Sequence, residues 1–252
     1  MNRHHSMPPI RFINLDRDKL RRERLQAKLA HLGLSAERFP AVLWTALPAA
    51  EQDRLYSSEL NARLHHLPLA PGEKGCYASH LRLWQWLLDS DAHCAIVLED
   101  DVRLEAGFPA VCAAIEGWTQ PWDMIKLIGR EGIGKREKLS SGQVLTAGHA
   151  LVNYRRVPSL TAGYALHRRG AEKLLRHRLP FGRPIDVDLR HWWECEALRV
   201  QGVWPAAIAL DETSETSSIN ASLKTLSLAQ RWRKFLFKTR YSLANAWYSH
   251  HS

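Results

Sequence analysis

Three consecutive carboxylates close the stretch CAIVLEDDVRL: Glu99, Asp100 and Asp101 follow directly on the apolar run Ala95 to Leu98. Acids that close together repel one another unless water or a cation lies between them. A hard divalent cation, Mg²⁺ or Mn²⁺, suits oxygen ligands and commonly shares its shell with substrate phosphates. The branched run before the acids reads as a strand covered on both faces, of the sort found inside a parallel sheet. Ligands of open α/β sheets gather beyond the carboxyl ends of such strands, so the triplet stands where a ligand crevice is expected. A solvated acidic turn has the same local sequence, and the surroundings must separate the two.

Those surroundings alternate strand and helix. IRFINL (residues 10–15) reads as a first strand, and DKLRRERLQAKLAHLG from Asp18 as a helix with Leu20, Leu25, Leu29 and Leu32 in its apolar stripe and Gly33 as its C-cap. FPAV suggests a second short strand, and the polar, helix-prone segment 45–66 an insertion or lid ended by Pro68 and Pro71. GEKGCYASHLRLWQWLLDSD places Cys76, His80, Leu83, Trp84 and Leu87 on one helical face and delivers the chain into the acidic strand. WDMIKLIG, residues 164–166 and VWPAAIAL read as further strands, with a helix over 169–177. This alternation implies a mainly parallel sheet.

A chain of 252 residues with 45% hydrophobic content can bury a sizeable core. Its four cysteines form no CxxC pair and no Cys/His ligand spacing, which argues against a zinc site or a disulfide framework and for a reducing compartment. MNRHHSMPPIRF has no apolar core for a signal peptide, so a cytoplasmic location is expected. The net charge of +9 invites an acidic partner, a nucleotide or an anionic membrane face. The basic clusters are dispersed and no zinc-finger or RNP signature is present, which argues against specific nucleic-acid binding. A GxxxxGK[ST] phosphate loop and the DxDx[TV] pattern of aspartyl phosphotransferases are absent too. DETSETSSINASLKT looks like a linker to a basic aromatic tail.

Taken as an ordered set, INLDR with Arg21 and Arg22, GEKGCYASHLRLW, AIVLEDDVRL, WDMIKL, GYALHRRGAEKLL and PIDVDL resemble glycosyltransferase family 25, the lipooligosaccharide galactosyltransferase-like enzymes that include collagen galactosyltransferases. The likeness runs over about residues 10–210; Lys74 and Tyr77 inside the GExGCxxSH block and the basic loop 130–138 depart from it. It implies a GT-A-like, Rossmann-type α/β fold with a mainly parallel sheet flanked by helices. It further implies a UDP-sugar donor such as UDP-galactose, a divalent metal in many members, and inversion at the anomeric carbon. The expected organisation is a catalytic domain over 8–212, a linker over 213–227 and a basic helical tail over 228–252.

On that likeness Asp101 is the expected direct metal ligand, with Asp100 reaching the metal through water or the donor ribose, and Glu99 orienting the turn. Asn14 and Arg17 stand where such a sheet receives the nucleotide, Arg17 as a fork for phosphate; Asn14 as a simple helix cap is the alternative. Asp186 holds the acidic position of the PxD block and is the expected general base, with Asp188 facing the other way if the segment is extended. His80 is expected to contact the donor or to pack, and Glu73 to bind an acceptor hydroxyl or support its helix. Trp192, between His191 and Trp193, is expected to stack on the acceptor sugar or in the core. Over 231–249, residues 232, 235, 236, 239, 243, 246 and 247 share a helical face with basic flanks, the pattern of a helix lying on an anionic membrane; packing on the protein's own core is the alternative. The acceptor would then be a lipid-linked glycan and the location the inner face of the cell membrane.

Overall fold

The computed structural model describes residues 7–129, 142–211 and 227–251. An eight-stranded sheet carries β1 (Ile10–Asn14), β2 (Glu37–Pro40), β3 (Cys94–Glu99), β5 (Met124–Lys126), β6 (Gln143–Thr146), β7 (His149–Asn153), β8 (Gly163–His167) and β9 (Val200–Trp204) in the order β2-β1-β3-β8-β5-β9-β7-β6. β1 pairs in parallel with both β2 and β3, and β5 with β9, whereas β8 and β7 run against their neighbours. The sheet is therefore mostly parallel in direction and mixed in pairing. β4 (Val102–Leu104) and β10 (Ile208–Leu210) form a separate antiparallel ribbon just beyond the acidic triplet.

Each face of the sheet has its own core. Ala95 and Val97 of β3 turn to one side, against α4 (Pro71–Asp89), α6 (Arg168–His177) and α7 (Ile185–Asp188). Cys94, Ile96 and Leu98 turn to the other, against α1 (Lys19–His31) and α5 (Phe108–Glu116). The period of two in a fully covered strand is why the sequence shows a continuous apolar run rather than alternation. In α1 only Leu25 and Leu29 of the expected stripe are buried, Leu20 being exposed, and Gly33 follows the helix with a positive φ of 70°.

The segment expected as a lid is pinned down. Its helices α2 (Ala49–Leu55) and α3 (Ser58–Leu64) bury Leu55 and Asn61, and Asn61 donates to Gly182 O at 2.9 Å. Phe181 exchanges backbone hydrogen bonds with Leu55 and Ser57, and its ring lies 4.2 Å from that of Tyr77. Pro71 does not end this segment but opens α4, where its missing N–H costs nothing. VWPAAIAL is two strands rather than one, β9 and β10, parted at Pro205, which has no N–H to offer a ladder.

The tail is a helix, α8 (Leu228–His251), seated on the protein: Tyr241 and Asn245 are buried, and the Tyr248 ring stacks on Trp193 at 5.4 Å. Asn245 donates to Arg155 O at 2.8 Å, and the Arg190 guanidinium lies 4.3 Å from the Tyr241 ring. The linker expected over 213–227 lies outside the described residues except for Ser227, as does the basic loop 130–138.

Candidate active site

The parallel pairing of β1 with β3 sets Ile13 opposite Glu99, so both strands end at one place. Asn14, 1% exposed, uses its amide there: Nδ2 donates to Asp100 Oδ2 at 2.7 Å and to Asp18 O at 3.0 Å, while Oδ1 accepts from Arg38 Nε at 3.0 Å. Arg21 of α1 stands 3.5 Å from Asp100 Oδ1. Burial raises the Asp100 carboxyl above its ordinary value, opposed by Asn14 and Arg21. Asn14 does not cap α1, whose N-cap is Asp18; it ties the end of β1 to the acidic turn.

Asp101 is held differently. Its carbonyl accepts from Asp211 N at 2.8 Å, which fixes the turn to the β4–β10 ribbon. Its side-chain Oδ1 is buried without a hydrogen-bond partner. Burial first, then the charges of Glu99 and Asp100, push this carboxyl up to about 6. A buried, unpartnered carboxylate oxygen beside two further acids fits a divalent cation.

The GEKGCYASH block shapes the opposite wall. Gly75 lets α4 pass under segment 41–44, since a Cβ there would lie 2.6 Å from Val42 O. Ser79 Oγ accepts from Val42 N at 2.8 Å. His80 is fully buried, with Nδ1 2.8 Å from the Tyr164 hydroxyl and Nε2 3.4 Å from Glu99 Oε1. That last distance is an ion-pair distance and too long for a well-formed hydrogen bond. Glu99 Oε1 also accepts from Thr161 Oγ1 at 2.8 Å. Burial tends to raise the Glu99 carboxyl, but His80 and Thr161 hold it below its ordinary value. Cys76 Sγ, a His80 ring nitrogen and a Glu99 oxygen lie within 4.8 Å of one another, so the i, i+4 spacing on α4 does bring a Cys and a His beside a carboxylate. The cysteine count concealed that grouping.

A cavity of about 360 Å³ opens between these walls, lined by Asn14, Arg17, Arg21, Cys76, Glu99 and Asp101 among others, and also touched by His80 and Asp100. Arg17, 63% exposed, lies 4.0 Å from Asp18 at the mouth. Glu73 and Asp186 do not line this cavity; burial raises Glu73 and the Cys76 thiol first, the charge of Asp186 adds to both, and that of Glu73 adds to Cys76. Glu73 Oε2 accepts from Ala70 N at 2.8 Å, so one oxygen supports the start of α4.

Asp186 and Asp188 lie in the short helix α7 and not in an extended segment. Two residues on a helix turn the side chains apart by about 200°, so they still face opposite ways. Asp188 is buried under the Tyr77 hydroxyl at 2.5 Å, Arg183 at 2.7 Å and Arg178 at 3.2 Å. Asp186 is half-buried. Burial raises its carboxyl, while Lys126 and Arg190 oppose the rise. Lys126, 1% exposed with Nζ donating to Pro158 O at 2.6 Å, is a residue that sequence reasoning missed. Its only signal was a lysine inside the apolar run MIKLI. Trp192 stands apart from the cavity, half-buried against the core and 6.4 Å from the Tyr248 ring of α8.

Residues 7–189 match the family described as glycosyltransferase family 25 (LPS biosynthesis protein). The chain belongs to this family. Among its relatives, procollagen galactosyltransferase 1 of Danio rerio is 31% identical over 185 residues, 70% of this chain and 30% of the relative. Procollagen galactosyltransferase 2 of Homo sapiens is 30% identical over 191 residues, 71% of this chain and 29% of the relative. The family 25 chain therefore spans about three-tenths of the length of the curated relatives it matches. A solved galactosyltransferase, LgtC in complex with donor and acceptor sugar analogues, aligns over 89% of this chain and 99% of its own at 11% identity and a TM-score of 0.36, a likeness too loose to bear on the chemistry. The matched region contains all the cavity walls, the acidic turn and α4 among them, and also α7.

Proposed function

We propose that this chain transfers a hexose, galactose first, from a UDP-sugar to a hydroxyl of a glycan acceptor such as lipooligosaccharide, with inversion and with a divalent metal. The observation that carries the reading is the buried, unpartnered Oδ1 of Asp101 in a cavity that also presents Arg17 and Arg21. Asp101, with Asp100 behind it, would hold Mn²⁺ or Mg²⁺, whose chemistry there is to offset the negative charge that develops on the departing diphosphate. Arg17 and Arg21 supply donors for the phosphate oxygens, and the mouth position of Arg17 leaves it free to swing onto them. Asn14 keeps Asp100 turned toward the protein, so Asp101 is the acid left to face the ligand. Asp186 takes the proton of the attacking acceptor hydroxyl. Burial makes it a stronger base than a surface carboxylate, and the positive charges of Lys126 and Arg190 oppose that rise.

The acceptor side has a second support. The outward face of α8 exposes Trp232, Phe235, Leu236, Leu243 and Trp247, with Arg231 and Lys238 also exposed. Aromatic and aliphatic groups with basic flanks suit an anionic membrane surface, where a lipid-linked acceptor would lie. Among the described residues no helix is long and apolar enough to cross a membrane. A peripheral position on the inner face of the cell membrane accords with this arrangement. The test is incubation with a panel of UDP-sugars and Mn²⁺, with and without glycan acceptors. Acceptor-dependent UDP release with a new glycoside is expected. UDP release without glycoside across the panel would make the protein a nucleotide-sugar hydrolase, and no turnover of any UDP-sugar would end the proposal.

A further inference from the structure

Taking the UDP-hexose reading as its basis, we propose that Glu99 reads a hydroxyl of the transferred sugar, and that Trp84, Tyr164 and His80 are positioning residues that hold its carboxylate in place. Trp84 Nε1 donates to the Tyr164 hydroxyl at 2.8 Å, and that hydroxyl lies 2.8 Å from His80 Nδ1. All three side chains are fully buried. An indole N–H can only donate, so Tyr164 accepts from Trp84 and has its own proton left for Nδ1. The His80 ring then carries its proton on Nε2, facing Glu99 Oε1 at 3.4 Å. The other tautomer would set a bare nitrogen lone pair against a carboxylate oxygen.

Glu99 Oε1 accepts from the Thr161 hydroxyl and faces His80 Nε2, both on the protein side. Among the described residues no donor reaches Oε2. The side chain is 26% exposed and lines the cavity, so Oε2 is the oxygen offered to a ligand. Its position selects which part of the ligand it meets. Glu99 is two residues from Asp101 on the diphosphate side, and its charge also reaches Asp186 on the acceptor side. The transferred ring must lie between the departing phosphate and the base, and Glu99 lines the same cavity as Asp101. A carboxylate accepting from one ring hydroxyl, its rotamer fixed by buried partners, gives discrimination among hexoses that differ at that carbon.

The test compares wild type, Glu99→Gln and Tyr164→Phe with UDP-galactose, its monodeoxy analogues and UDP alone. Loss of one charge-assisted hydrogen bond corresponds to about 10- to 10²-fold. Wild type should lose that factor in kcat/KM with one monodeoxy analogue. Glu99→Gln should lose it with UDP-galactose and then discriminate little against that analogue, while UDP affinity stays at its wild-type value. Tyr164→Phe should raise KM with UDP-galactose and change the ¹⁵N signature of His80, which in wild type should show Nε2 protonated and Nδ1 bare. Undiminished discrimination by Glu99→Gln overturns the sugar contact. A wild-type His80 ring protonated on Nδ1, or a Tyr164→Phe protein with unchanged KM, overturns the positioning chain. Wild type that binds UDP but neither binds nor turns over UDP-galactose overturns the donor reading as well, whereas UDP-galactose turnover indifferent to Glu99 overturns this inference alone.

Discussion

Asp186 and Asp188 are two residues apart and identical in type, yet their surroundings predict opposite consequences for the same substitution. Asp188 and its partners Arg178 and Arg183 each have side chains 4% exposed, so the carboxylate neutralises two guanidinium groups that water does not reach. Removing one member of a buried ion pair typically costs about 3–5 kcal/mol, because the remaining charge stays buried and unpaired. Asparagine keeps the shape and can still accept from the Tyr77 hydroxyl, and Glu194 still pairs with both arginines, so the lower end applies, about 3 kcal/mol. For a chain of this size that corresponds to a fall in Tm of about 6–12 °C. Asp186 is the reverse case: burial disfavours its charged form, so Asp186→Asn should leave stability unchanged or slightly higher. Its kcat should fall by about 10² to 10⁴, the usual contribution of a general base.

Thermal and urea unfolding followed by tryptophan fluorescence, beside kcat and donor affinity on the same preparations, decide the matter. The expected pattern is Asp188→Asn destabilised with activity surviving at low temperature, and Asp186→Asn stable and nearly inactive. An Asp188→Asn protein that melts with wild type would refute the reasoning about the buried pairs. Normal kcat in Asp186→Asn would remove that residue from the mechanism.

Three further outcomes follow from the same physics. Asp101→Asn should abolish Mn²⁺-dependent transfer yet raise the metal-free unfolding free energy at pH 7 by up to about 3 kcal/mol, since it removes a carboxyl held near 6 by burial; a destabilised or fully active variant contradicts the assignment. His191 is pushed down to about 4, by burial first, so the unfolded chain takes up its proton before the folded one as pH falls below 6.5. Wild type should lose stability relative to His191→Asn between pH 6.5 and 4, by up to about 1.4 kcal/mol per pH unit, and parallel urea midpoints for the two proteins would refute this. Replacing both Trp232 and Phe235 by Glu should release the protein from phosphatidylserine vesicles without changing Tm, because both side chains are exposed; unchanged vesicle binding would show that this face is not the membrane contact.

The parts of the site that could be read from the chain are those where charge interrupts an apolar pattern at an element's end. Glu99 to Asp101 close a covered strand, and the paired acids of PIDVDL sit in the short helix α7 after Pro184, so both announce a strand end or a helix start. Lys126 and Tyr164 lie inside strands, where one polar group among apolar neighbours gives no direction, and their partners Pro158 and Trp84 are 32 and 80 residues away. Pairing was equally hidden. The apolar runs of β3, β5 and β8 are alike whether their neighbours run parallel or antiparallel, and the reversed strand β8 between β3 and β5 left no local mark.

The tail shows why a correct periodicity can still leave function open. The stripe through residues 232, 235, 236, 243 and 247 was legible, but a second aromatic face carrying Tyr241 and Tyr248 lies across the same helix. Either could have been the buried one. Contact with the His191 and Trp193 rings settles it, because those aromatics follow α7 directly and offer flat surface only to the Tyr241 face. The stripe that a membrane would cover is therefore left outside, on a helix seated within a few residues of Asp186. If that stripe is the membrane contact proposed above, a variant that loses vesicle binding should lose turnover of lipid-borne acceptors while retaining turnover of soluble ones.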